Sequence, residues 1–491
     1  MSITRPVLAA FVFVLGAVPC ASYAADDVAS LRAELEALKQ DYSSRVSAIE
    51  SRINQLESAR GTAAPPAPGA ADQSAEALAA SLAADAATAN APSPPSPTDY
   101  GASASGGARG GASAFNPAIS MILAGNFANL SQDPASYRIA GFLPSGGEVG
   151  PGERSFNLGE SELTVAANVD PYFFANVTAS LTADNEVAVE EAYFRTLGLH
   201  EGLTIKGGRF FSGLGYLNEI HSHAWDFVDQ PLVYQAFFGS QLTQDGLQVK
   251  WLAPTDTFME LGAEAGNGGN FPGTHRDRNG LNGTTLFTHV GGDIGNSTSW
   301  RTGLSWNDSH ADNRSYSDAD EFGVPVENAF TGTARTWVVD ALMKWAPNGD
   351  STQRQLKLQG EYMRRTEDGQ LAFDTTGADL DGNYRSRQSG WYVQGVYLFR
   401  PRWRIGARYD SLDSGDPRIG LVQTGVLPFT AFPSLLSASP DRYTVMLDWN
   451  PSEFSRLRAQ FALDDARPDV RDRQFILQYL YSIGAHGAHK F

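Results

Sequence analysis

From about residue 116 onward the chain alternates apolar and polar residues with a period of two. Leu163, Val165, Ala167 and Val169 alternate with Glu162, Thr164 and Asn168. Trp300, Thr302, Leu304 and Trp306 alternate with Arg301 and Ser305, and Trp337, Val339, Ala341, Met343 and Trp345 with Thr336, Asp340 and Lys344. Trp403, Ile405, Ala407 and Tyr409 alternate with Arg402, Arg404, Arg408 and Asp410. Tyr443, Val445, Leu447 and Trp449 alternate with Arg442, Thr444 and Asp448, and Leu457, Ala459, Phe461 and Leu463 with Arg456, Arg458 and Gln460. Period two means β-strand, because successive side chains point to opposite faces. One face is apolar, with Trp or Tyr near its ends, and the other carries full charges. Aromatic residues at strand ends suit the two interfaces of a membrane. A soluble sandwich turns its apolar faces to a core and gives no reason for such girdles.

About sixteen such segments occur, an even number as a bacterial single-chain barrel requires. They lie near 118–127, 157–169, 172–181, 187–197, 203–211, 241–252, 257–265, 284–294, 299–306, 335–345, 355–364, 390–399, 402–410, 441–449, 455–463 and 473–491. Their connections alternate. Short ones include Asp170-Pro171, 198–202 and Arg400-Pro401; the long ones are 128–156, 212–240, 266–283, 307–334, 365–389 and 411–440. The fold class predicted is an all-β transmembrane barrel of about sixteen antiparallel strands over 116–491, in contact with outer-membrane lipid.

Ahead of it the texture differs three times. Arg5, the apolar run Val7–Val18 and Ser22-Tyr23-Ala24 read as a signal peptide over 1–24. Val28, Leu31, Leu35, Leu38, Tyr42, Val46, Ile49, Ile53 and Leu56 form a heptad seam with a stutter, so 25–60 is predicted to be an α-helical coiled coil in the periplasm. About four heptads are too few for a lone helix, which implies partner copies, with a homotrimer expected. Residues 61–115 are rich in Ala, Pro and Gly and read as linker.

Charge and cysteine content narrow the class. The 491 residues carry a formal charge of −18, which excludes nucleic acid as a partner. The sole cysteine, Cys20, falls in the signal peptide, so no disulfide holds the exported chain. The terminal Phe491 on an amphipathic strand resembles the signal read by the outer-membrane assembly machinery.

Sixteen strands leave an aqueous lumen, and its charges are the candidate functional residues. Arg402, Arg404, Arg408, Arg442, Arg456 and Arg458 form a basic ladder on the last strands, and Glu260 and Glu264 belong to an acidic wall. Such an arrangement sets a transverse field at a constriction, unless the charges simply pair with their neighbours. The third outer connection, 212–240, which follows 128–156 and the shorter 182–186, is too apolar for a solvated loop and is expected to fold into the lumen, bringing Asp226 and Asp229 to the constriction. Within it Glu219, His221 and His223 share one side of an extended backbone. With Asp226 or Asp229 they form a candidate zinc site; the plainer reading is histidines that brace the loop by hydrogen bonds. No Gly-x-Ser-x-Gly elbow or His-Glu-x-x-His stretch occurs, and the chain is not read as an enzyme.

The stretch Gly208-Arg209-Phe210-Phe211 through Pro231-Leu232, the start Asn116-Pro117-Ala118-Ile119-Ser120 and the end Gly484–Phe491 resemble a proteobacterial outer-membrane family. Its members look like phosphate-selective porins with an N-terminal coiled coil, and many carry the label of TonB-dependent, sometimes zinc-regulated, receptors. The resemblance implies a channel for small hydrophilic solutes or ions. The label implies energised uptake of a metal or metal complex, although a plugged receptor usually has about 22 strands. A third reading is structural: the barrel tethers the coiled coil to the cell wall.

Overall fold

The structure, a computed structural model, describes residues 117–484 apart from 145–148, 183–185, 275–277 and 321. The signal peptide, the coiled coil, the linker and the terminal Phe491 lie outside the described residues. The strands are β1 (Ala118–Leu130), β2 (Ser155–Leu158), β3 (Ser161–Asn168), β4 (Phe173–Leu181), β5 (Val187–Thr196), β6 (Leu203–Phe211), β7 (Thr243–Leu252), β8 (Phe258–Gly266), β9 (Gly283–Ile294), β10 (Thr298–Ala319), β11 (Pro325–Trp345), β12 (Gln355–Phe373), β13 (Leu380–Arg400), β14 (Trp403–Asp413), β15 (Arg418–Ile419), β16 (Asp441–Ser452), β17 (Ser455–Asp464) and β18 (Asp472–Gly484). All belong to one antiparallel sheet, which closes where β1 pairs with β18 from Ser120↔Gly484 to Leu130↔Gln474. Sixteen strands make the wall. The short β2 extends the line of β3 along β1, and β15 edges onto β13. Among the described residues the sheet closes on itself, as a hydrocarbon surround demands.

The alternation read from the sequence is the inside–outside alternation of this cylinder. On β16, Tyr443, Val445, Leu447 and Trp449 are 53, 51, 41 and 40 % exposed on the outer face, whereas Arg442, Thr444, Met446 and Asp448 are at most 2 % exposed inside. The outer aromatics form two bands. Trp403 stacks on Trp449 at 6.0 Å beside the short turns, and Tyr409 lies 4.5 Å from Tyr443 higher up. From Trp337 to Trp345 on β11 the chain advances eight residues. At about 3.3 Å per residue and roughly 40° of tilt, that is about 20 Å of height, close to the apolar band of a membrane barrel.

Two predicted loops are not loops. Residues 307–334 and 365–389 continue the ladder, so that β10 pairs with β11 as far as Ala319↔Pro325 and β12 with β13 as far as Phe373↔Leu380. The segment Asn307–Ala319 is polar on both faces, and the hydrophobic period fades there although backbone pairing does not. The other long connections fold inward over the mouth. Ile139 and Phe142 of 128–156 cover the segment 212–240, with Phe142 6.0 Å from Phe237. Ala431, Phe432 and Leu435 pack with Leu143, Phe330 and Tyr384.

Candidate functional site

Loop 212–240 crosses the lumen, as its apolar content predicts. It leaves β6 and is gripped by β12, β14, β16 and β17, which stand on the far side of the ring. At the near end Glu264 of β8 accepts from the Ser212 hydroxyl at 2.6 Å, the Gly213 N–H at 2.7 Å and the Gln248 amide at 2.7 Å. Asn218 staples the two ends of the loop by donating to the carbonyls of Ser212 and Leu242. In mid-span the carboxylate of Glu361 accepts from the Leu217 N–H and from the hydroxyls of Tyr234 and Tyr392. Gly215, at φ 66°, sits where a Cβ would come within 2.3 Å of that carboxylate, so a side chain is excluded on two counts. Helix α1 (Leu232–Phe238) follows, buried at every residue and ended by Gly239 in the left-handed conformation. Its last carbonyls, unpaired within so short a helix, accept from Arg365 at 3.1 Å (Ala236) and 3.3 Å (Phe237).

The basic ladder holds this loop. Asp226 takes Lys357 at 2.9 Å and Arg404 at 3.1 Å. Asp229 takes Arg408 at 3.0 Å and Arg442 at 2.5 Å. Arg442 also donates to the Gln230 carbonyl at 2.6 Å, and the Leu232 N–H donates to Asp410 at 3.0 Å. Arg458 bridges Asp448 and the Trp225 carbonyl, and Arg456 donates to the carbonyls of His223 and Trp225. Arg404 shares Asp448. Burial raises the pKa of the Asp226 carboxyl, but the cations Lys357, Arg404 and Arg458 outweigh it and hold the group well below the usual carboxylate range. Arg402 does not join the ladder. It occupies the tight turn between β13 and β14 at φ 73°, exposed, with its carbonyl accepting from Asn450.

The expected set of Glu219, His221 and His223 is not what assembles. A turn closed by the Ile220 N–H on the Leu217 carbonyl precedes His221, and Ser222–Ala224 form a 3-10 turn after it, so the extended spacing fails. Glu219 turns instead to Lys250 at 3.1 Å, which also meets Glu260 at 3.5 Å; Glu260 in turn meets His289 at 3.2 Å. Asp226 and Asp229 face the arginine side of the lumen, far from the histidines in their partners. The two histidines do stay together, rings stacked at 5.8 Å, and meet carboxylates of the near wall. His221 Nδ1 lies 3.0 Å from Glu190 and 3.4 Å from Glu162, its Nε2 lies 3.1 Å from Glu191, and His223 Nδ1 lies 2.8 Å from Glu162. Burial disfavours the charged imidazole, but the hydrogen bonds to Glu190 and Glu191 prevail and hold His221 well above the usual histidine range.

Glu190 and Glu191 were missed because neighbouring strand residues normally face opposite sides. Here β5 carries a bulge: Glu191 stands opposite Thr178 and Val189 opposite Ala179, which leaves Glu190 as the extra residue. A bulge turns two consecutive side chains the same way. The signal was present as two adjacent carboxylates, Glu190-Glu191, interrupting an alternating strand.

No family model matches the chain. It is 32 % identical over 403 residues to an uncharacterised protein of Aquifex aeolicus, a match spanning 77 % of this chain and 80 % of that one. Among solved structures, a loop-deletion mutant of OmpT, an outer membrane protein of Vibrio cholerae, has a TM-score of 0.47 at 12 % identity over 75 % of this chain and 99 % of its own. The outer membrane channel DcaP of Acinetobacter baumannii has 0.45 at 12 % over 75 % and 97 %, and an anion-selective porin from Comamonas acidovorans 0.44 at 9 % over 75 % and 99 %.

Proposed function

The chain belongs to the same family as the uncharacterised Aquifex aeolicus protein, and from that premise we propose that it is an outer-membrane channel for passive passage of small hydrophilic solutes or ions. The observation that carries this reading is the closed cylinder, apolar outside and charged within, whose lumen is crossed by a loop tied to both walls. Such a loop narrows a path without needing an energy source to move it. The rim of short turns faces the periplasm and the long connections face outward. The phosphate-selective type of porin is the finer reading, on the likeness of the segment Gly208–Leu232.

Opposite charges stand across the lumen. Glu162, Glu190, Glu191, Glu260 and Glu264 come from β3, β5 and β8, and the arginine ladder from β14, β16 and β17. In ring order β5 is half a turn from β13, and β8 half a turn from β17. Most of these charges are paired, but Lys357 and Arg404 keep 21 and 22 % of their side chains exposed, and Glu260 22 %. These are the residues by which a passing solute is sorted. The heptad seam over 25–60 supports a homotrimer joined in the periplasm.

Planar-bilayer recording tests the channel. Stable conductance without an energy source is expected, and a protein that inserts but remains silent at all voltages rules the reading out. Removing residues 26–60 should reduce the trimer to smaller species on native gels while the barrel still folds; an unchanged trimer dismisses the coiled coil as its cause.

A further inference from the structure

We infer that the junction between loop 212–240 and the β5 wall is a binding site for one divalent transition-metal ion of the zinc class, held by His221 Nδ1, Glu162 and Glu190. One imidazole and two carboxylate ligand atoms lie within 4.8 Å of one another there. Zinc bonds to nitrogen and oxygen of about 2.1 Å, at tetrahedral angles, put neighbouring ligand atoms about 3.4 Å apart. The observed separations from Nδ1 are 3.0 Å to Glu190 and 3.4 Å to Glu162. The two carboxylates lie within 4.8 Å of each other, so an ion entering this space replaces the proton that Nδ1 otherwise carries and draws Glu162 and Glu190 together around it. One ligand position remains for water or a solute.

Two further features fit a metal site. The first is the orientation of His221. Its Nε2 meets Glu191, whose other oxygen accepts from the Phe211 N–H at 3.1 Å. A histidine that binds a metal through one ring nitrogen characteristically donates from the other to a carboxylate, which fixes the tautomer and aims the ring. The second is the crowding of acid around Glu190. Its side chain is 10 % exposed, and besides His221 it meets the Glu160 carboxyl and the Ser180 hydroxyl. Carboxyls packed together with little water repel one another unless a proton or a cation lies between them. The β5 bulge makes the arrangement possible, since without it only one of Glu190 and Glu191 would face inward. Bound there, the ion joins β3, β5 and the loop, and so bears on how firmly the loop narrows the lumen.

The test uses the full mature chain refolded in detergent and stripped with a chelator, with Zn²⁺ alone followed by calorimetry and Co²⁺ alone by visible absorption. One ion per chain and an intense four-coordinate Co²⁺ spectrum are expected. Glu190→Gln keeps the shape of the side chain and should weaken binding at least tenfold. Glu191→Gln, which removes a positioning residue, should weaken it about 10–100-fold. Glu219→Gln serves as the control and should bind as the wild type does. Heat-modifiable gel migration establishes that each variant is folded. Absence of stoichiometric binding to the folded wild-type chain overturns the inference, and so does Glu190→Gln that binds with unchanged affinity.

Discussion

Arg442 offers the sharpest test of the idea that the basic ladder exists to hold the loop. Its guanidinium is 2 % exposed and contacts Asp229 at 2.5 Å, the Gln230 carbonyl at 2.6 Å and Asp410 at 3.4 Å. Removing one partner of a buried ion pair typically costs about 3–5 kcal/mol, because the charges left behind stay desolvated. In Arg442→Ala, Arg408 still reaches Asp229 and Asp410, each at 3.0 Å, so the lower end, about 3 kcal/mol, is expected. That is roughly a hundredfold rise in the population of released loop. In single channels it appears as frequent transitions to a larger conductance, and in urea titration as an earlier unfolding midpoint. Asp229→Ala should act in the same direction. The double variant should lose less than the sum of the two by about 0.5–3 kcal/mol, since each single change strands the other's charge. Additivity within about 0.5 kcal/mol, with quiet traces, would show that the ladder does not anchor the loop.

Other consequences are simpler to read. Val445 lies on the outer face between the aromatic bands of Tyr443 and Trp449; Val445→Arg should cost about 2–4 kcal/mol in lipid vesicles, and an unchanged urea midpoint would deny that this face meets hydrocarbon. Asp226→Asn removes the countercharge of Lys357 and Arg404 and should move the reversal potential in a salt gradient toward anion preference; a potential that stays put would exclude this group from ion sorting. Tyr234→Phe deletes a 2.8 Å hydrogen bond to Glu361 without changing shape, and a loss of about 1–3 kcal/mol is expected by urea unfolding, against none if that contact is idle.

Most of what depends on one strand at a time was legible in the sequence: the barrel, its even count of strands, its outward faces, and which rim carries the long connections; Arg402, placed inward by parity, sits instead in an exposed turn. A side chain's face is set by its parity along the strand, and parity is written in the order of residues. The inward fold of 212–240 was legible too, because its apolar surplus has nowhere else to go. Where pairing outran hydrophobicity the reading stopped short, as in the polar tops of β10 to β13, since backbone hydrogen bonds form whatever the side chains are.

Only the tertiary structure decided the partners. Glu219 lost its place beside His221 to Glu190 and Glu162 because the chain turns at 217–220 and one extra residue in β5 swings Glu190 inward. Asp226 and Asp229 found Lys357, Arg404, Arg408 and Arg442 across more than a hundred residues of chain, a match made when the cylinder closed and set β6 opposite β14. Parity survives in a list of residues; distances across a lumen come into being only when the two edges of the sheet meet.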